Sequence, residues 1–220
     1  MPESRHALVV KKKQIDKNLT ALFTTVSDAI GQAMSCLTGE NKASCQSIIE
    51  HDDEINRGRY LVERECLTAI ALHQLVANDL RDVVAATRIA ADLERIGDYA
   101  SDIASISLQM TDIDLSEVGL TELLKLFSLC NEMMIAVLAA YRDKDTERAK
   151  VAAKMDDDID AEQARLIQVL FSKMQLRPAL VPDASRMLWI SHLLERYGDH
   201  LTNIAEQVVF ATEARVVELD

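Results

Sequence analysis

The chain has 220 residues, 49% hydrophobic and only 4% aromatic, with 6 glycines and 3 prolines. This composition allows one large domain or two of about a hundred residues, and it favours long helices over sheets. The net charge of −12 opposes binding to nucleic-acid phosphate or to an anionic membrane surface, leaving a cation or a basic protein as partners.

The N-terminal apolar patch, 7–10, is too short for a secretory signal. The longest apolar run, Met133 to Tyr141, falls far below the about 20 residues that cross a bilayer. A cytoplasmic protein without membrane insertion is expected. Cys36, Cys45, Cys66 and Cys130 form no CxxC pair and fit no zinc framework. They read as buried thiols packed as small hydrophobes in a reducing cytosol.

Helix start and stop signals divide the chain into six long segments. The first covers about 9–37 and stops at Gly39. The second covers about 41–77, and Asn78 or Asp79 then opens a third, with Asp82 placed for a capping box. That helix reaches about Met110, and a polar stretch follows. Ser116 is placed to cap a fourth helix ending near Tyr141, and Asp143 or Asp145 to open a fifth running to about Met174. Pro178 and Pro182 bound a loop, and Pro182-Asp183 starts the sixth.

The third segment carries Ile89, Leu93, Ile96, Ala100, Ile103 and Met110 in an a/d pattern broken at Ser107. In the sixth, Met187, Ile190, Leu194, Tyr197, Leu201, Ile204 and Val208 follow it throughout. These are seams of packed antiparallel helices.

Leu93 to Ser105, LERIGDYASDIAS, returns as Leu194 to Glu206, LERYGDHLTNIAE, with seven of thirteen positions identical. The repeat extends backward, since 52–56, DDEIN, resembles 156–160, DDDID. The expected fold is all-α: a tandem pair of three-helix bundles over 9–110 and 116–213, related by a pseudo-twofold axis.

Each phrase sets two acids four residues apart, Glu94 with Asp98 and Glu195 with Asp199. That spacing places both on one helix face, where like charges cost roughly 0.2–0.5 kcal/mol. Asp156 and Asp160 form a further such pair. If the fifth and sixth helices are antiparallel neighbours, four carboxylates converge, as an oxygen-rich site for a hard cation. The corresponding group in the first half is Asp52, Asn56, Glu94 and Asp98, where neutral Asn56 predicts weaker metal binding. The competing account is an acidic face paired with Arg95, Arg196 or arginines of neighbouring helices. Gly97 and Gly198 sit inside both phrases at a cost of roughly 1 kcal/mol relative to alanine, for close packing or room beside an ion. His51 and His200 adjoin the acids, as accessory ligands or, the favoured reading, as surface histidines. The one Glu-x-x-His, Glu3 to His6, cannot supply a ferritin-like pair, and no phosphate loop or GxSxG occurs. No catalytic residue is assigned.

The tandem LERxGD phrases, the Asn78-Asp79-Leu80-Arg81 start, the DDxID/N stretches and the terminal Asn203-Ile204-Ala205-Glu206 resemble the PhoU family of phosphate-transport regulators. The resemblance implies a non-enzymatic negative regulator of the phosphate-starvation response, with an accessory of another phosphate or ion transporter or of a stress pathway, and after it a metal-dependent enzyme, as the alternatives. The regulator's partners would be the ATPase subunit of a phosphate ABC transporter and a sensor histidine kinase, and it would form a homodimer. It also implies metal at E(D)xxxD pairs, here Glu94/Asp98 and Glu195/Asp199 opposite Asp52/Asn56 and Asp156/Asp160. Iron, zinc, manganese or magnesium are the candidate ions. Asp102 and Asn203 are weaker candidates one turn further on.

Overall fold

The computed structural model describes residues 2–39, 42–50, 52–111 and 113–219. Among them are α1 (Pro2–Leu37), α2 (Lys42–Glu50), α3 (Asp52–Leu72), α4 (Ala77–Ser107), α5 (Leu120–Asp143), α6 (Thr146–Ala153), α7 (Asp156–Leu176) and α8 (Val181–Glu213). Short 3-10 turns at Leu115–Val118 and Pro178–Leu180 precede α5 and α8.

The fold is the expected all-α tandem repeat, with local corrections. The helices α2 and α3 are described on either side of residue 51, and the fifth segment divides into the short helix α6 and α7. At that break Lys154 and Met155 turn the chain, and Asp156, Asp157 and Asp158 fill the first turn of α7. Three acids at that end suit the helix dipole, so a fresh start there is favoured. Ser116 does not cap the fourth helix. Its backbone N–H donates to the Asp114 side chain, and Gly119, at φ 78°, opens α5 in the left-handed region that glycine tolerates.

In the first half α1 and α4 run parallel and α3 antiparallel to both. Lys12 reaches Asp79 at the start of α4, while Lys11 reaches Glu65 late in α3. The second half repeats this with α5, α8 and α7. Residues of α3 and α7 correspond at an offset of 104, which also carries α2 onto α6. The halves join through α4 and α8, which cross antiparallel: Arg88 bonds Gln207, and Tyr99 meets His200.

The two seams make the core. Leu93, Ile96 and Ile103 on α4, and Leu194, Tyr197, Leu201 and Ile204 on α8, are fully buried. Met110 is only partly buried. Each such leucine stabilises by about 1.5–3 kcal/mol, and its truncation to alanine costs about 2–5 kcal/mol. Among the described residues α5 alone is long and apolar enough to cross a membrane. Its apolar stripe, Leu123, Leu126, Cys130, Met133 and Val137, is buried within the second half.

The cysteines depart from expectation. Cys66 and Cys130 are buried free thiols, but Cys36 and Cys45 form a disulfide across the α1–α2 turn, with Cα atoms 5.6 Å apart. The equivalent positions in the second half are Ala140 and Ala149, both buried.

Candidate functional site

Antiparallel packing of α7 on α8 brings the second set of acids together. Ile159 packs beside Gly198, and a Cβ built on Gly198 would fall 2.3 Å from Asp156 Oδ1. Asp156 and Asp160, near the start of α7, therefore face Glu195 and Asp199 across the contact. Asp156 is half-buried, and its Oδ1 is a buried oxygen with no hydrogen-bond partner. Glu195 Oε2 is likewise buried without a hydrogen bond. His192 Nδ1 lies 3.2 Å from that oxygen and forms an ion pair with it only when the imidazole is protonated.

The electrostatics follow from this crowding. Burial, then repulsion from Asp160, Asp199, Glu195 and Asp157, pushes the Asp156 carboxyl up to about 7. Burial and Asp199 with Asp157 raise Asp160. Burial and Asp199 raise Glu195, against the partial relief of His192. Four carboxylates thus share one field, with no lysine or arginine paired to them among the described residues. Among the described residues no group of three or more His, Cys, Asp or Glu side chains is arranged to hold a metal as it stands. The donors nevertheless fit a hard cation in chemistry: all are oxygens, two are buried and orphaned, and their mutual repulsion calls for positive charge.

The first set is built differently. The Asp52 side chain and His51 lie outside the described residues. Asn56 is half-buried on α3. Glu94 is buried, and its Oε1 accepts from Arg59 Nη1 at 2.9 Å. Arg95 Nη1 donates to Asp98 Oδ2 at 3.4 Å, and its Nε lies 3.8 Å from Glu94 Oε2. Gly97 abuts the Ile55 side chain rather than an acid. Arginines thus stand beside both Glu94 and Asp98, while Glu94 Oε2 is, like Asp156 Oδ1 and Glu195 Oε2, a buried oxygen with no hydrogen-bond partner. Asp102 and Asn203 are exposed.

Three residues that matter here were not singled out in the sequence: Arg59, its counterpart Gln163 and His192. Arg59 and Gln163 occupy equivalent places, so extending the DDxID/N alignment by three residues would have exposed the difference. His200 is not a surface histidine. Its Nδ1 lies 2.9 Å from Asp92 Oδ1 and its Nε2 2.9 Å from the Tyr99 hydroxyl.

The sequence signature of the PhoU domain matches residues 19–107 and 123–208, most of both halves. The chain belongs to the PhoU domain family. A phosphate-specific transport system accessory protein PhoU homolog from Zymomonas mobilis is 32% identical over 211 residues, covering 92% of this chain and 88% of that protein. A counterpart in Pseudomonas aeruginosa is 29% identical, covering 90% and 82%. Among solved structures, the phosphate transport system regulatory protein PhoU from Streptococcus pneumoniae superposes with a TM-score of 0.88 at 27% identity, covering 96% of this chain and 99% of that one. PhoU from Pseudomonas aeruginosa also gives 0.88, at 28% identity with 94% and 99% covered.

Proposed function

We propose that this PhoU-family chain is an accessory regulator of a phosphate transport system that represses the phosphate-starvation response when phosphate is plentiful. It acts without turnover, as a cytoplasmic adaptor between the ATPase subunit of the phosphate ABC transporter and a sensor histidine kinase, and as a homodimer. The observation that carries this reading is the likeness along nearly the whole chain to accessory and regulatory proteins of phosphate transport. The net charge of −12 suits basic protein surfaces as partners.

The second acidic set is assigned to a divalent or trivalent metal ion, held by Asp156, Asp160, Glu195 and Asp199. When bound, the metal would supply positive charge where four acids now repel. Its role would be to fix α7 against α8 rather than to activate a substrate. Support comes from the orphaned oxygens of Asp156 and Glu195.

Deleting the gene in a strain with an alkaline-phosphatase reporter tests the regulator. Expression that becomes constitutive in high phosphate supports it; unchanged repression favours an accessory role for another phosphate or ion transporter or a stress pathway. Complementation with the Glu195→Ala/Asp199→Ala variant then asks whether the acids matter to repression.

A further inference from the structure

We infer that the two copies of the acidic phrase use different counter-ions: Arg59 and Arg95 neutralise the first from within the protein, and only the second takes a metal cation. This rests on the metal reading of the second set.

In the first half the Arg59 guanidinium is fixed from two sides. Its Nε donates to Glu63 Oε1 at 2.8 Å and its Nη1 to Glu94 Oε1 at 2.9 Å. Arg59 therefore bridges α3 to α4 at the carboxylate that a metal would need. Arg95 stands over the other acid, with Nη1 3.4 Å from Asp98 Oδ2. Both acids of the phrase have a guanidinium beside them, and Asn56 adds no charge of its own.

In the second half both arginines are withdrawn. The position of Arg59 is taken by Gln163, whose neutral amide is 3.5 Å from the Ser191 carbonyl oxygen. Arg95 corresponds to Arg196, which lies over the Tyr99 ring at 5.3 Å, across the central helix contact. Glu94 and Asp98, each beside an arginine, thus correspond to Glu195 and Asp199, which have one histidine near them and face two further acids, Asp156 and Asp160. A carboxylate oxygen already bonded to a fixed guanidinium is a poor metal ligand, because the two cations repel at contact distance. Among the described residues no arginine or lysine pairs with Asp156, Asp160, Glu195 or Asp199.

The test is manganese(II) titration of the full-length, chelator-stripped protein, read by calorimetry and native mass spectrometry. Wild type should bind one ion per chain. Glu195→Ala/Asp199→Ala should bind none, and Glu94→Ala/Asp98→Ala should still bind one. Asn56→Asp alone should stay at one, whereas Arg59→Gln/Asn56→Asp should rise to two. Gln is the residue that the other half carries at this place, so the fold accommodates it. A wild-type stoichiometry of two, with one ion lost in Glu94→Ala/Asp98→Ala, overturns the inference. So does a stoichiometry of one in Arg59→Gln/Asn56→Asp. No binding by wild type overturns the metal reading instead. Arg59 is then judged by a double-mutant cycle of Arg59→Gln with Glu94→Gln in denaturant unfolding, where favourable coupling supports its role as the internal counter-ion and zero coupling refutes it.

Discussion

Asp156 and Gly198 meet so closely across the α7–α8 contact that a methyl group on Gly198 would fall 2.3 Å from Asp156 Oδ1. Glycine within a helix costs about 1 kcal/mol relative to alanine, so Gly198→Ala would ordinarily stabilise. Here overpacking against a carboxylate and Ile159 should outweigh that gain and destabilise by about 1–3 kcal/mol. Gly97→Ala meets only the Ile55 side chain, which can shift, so its cost should be smaller. Chemical denaturation of both variants checks this order, and equal effects would contradict it.

The Asp156 carboxyl, held up to about 7 by burial and its acidic neighbours, has an unfolded value of about 3.9. Between those values the folded chain keeps a proton that the unfolded chain has lost. Stability from this group therefore falls as pH rises from about 4 to about 7 and is level above. Asp160 and Glu195, also raised, act in the same sense. Melting curves in chelator should show a shallower decline over that range for Asp156→Asn than for wild type. Manganese(II) should oppose the decline, because a bound cation favours the ionised acids and releases their protons.

Asp183, buried at the start of α8, accepts from the Thr111 backbone N–H at 3.0 Å, from the Thr111 hydroxyl and from Arg186 Nη1 at 2.9 Å. Burial alone would raise its carboxyl, but Thr111 and Arg186 outweigh this and hold it below the usual range. Its contribution is present above the unfolded value and is lost as pH falls through the lower folded one. Asp183→Asn should cost about 1.5–3 kcal/mol near neutral pH, the range for hydrogen bonds to charged groups. The cost should shrink toward pH 3. An unfolding series across pH decides it.

His200 ties the halves together through Asp92 and Tyr99, both on α4. With Nδ1–H donating to Asp92, Nε2 accepts from the Tyr99 hydroxyl. Tyr99→Phe should then cost about 0.5–1.5 kcal/mol. Its effect should be non-additive with His200→Ala, since one contact is lost in either case. Additive losses would show that the chain from Asp92 to Tyr99 does not act as a unit.

Several features were legible in the sequence because they are periodic or repeated. The a/d spacing from Met187 to Val208 defines a buried helix seam wherever it occurs, and all seven residues are buried. The duplicated LERxGD phrase required two equivalent units, and its acids had to share a helix face. Helix breaks were less legible, because Lys154 and Met155 do not forbid helix and only the restart at Asp156 marks the turn.

Taken alone, the sequence determined the helical repeat and which acids stand one turn apart, since both depend on spacing along a single helix. Only the tertiary structure decided what faces those acids. Arg59 reaches Glu94 from another helix, Arg196 turns to Tyr99 across the central contact, and Cys36 meets Cys45 over a turn. Each pairing depends on the relative placement of two elements, which local spacing does not encode. Two phrases that share the LERxGD core therefore acquire different electrostatic surroundings.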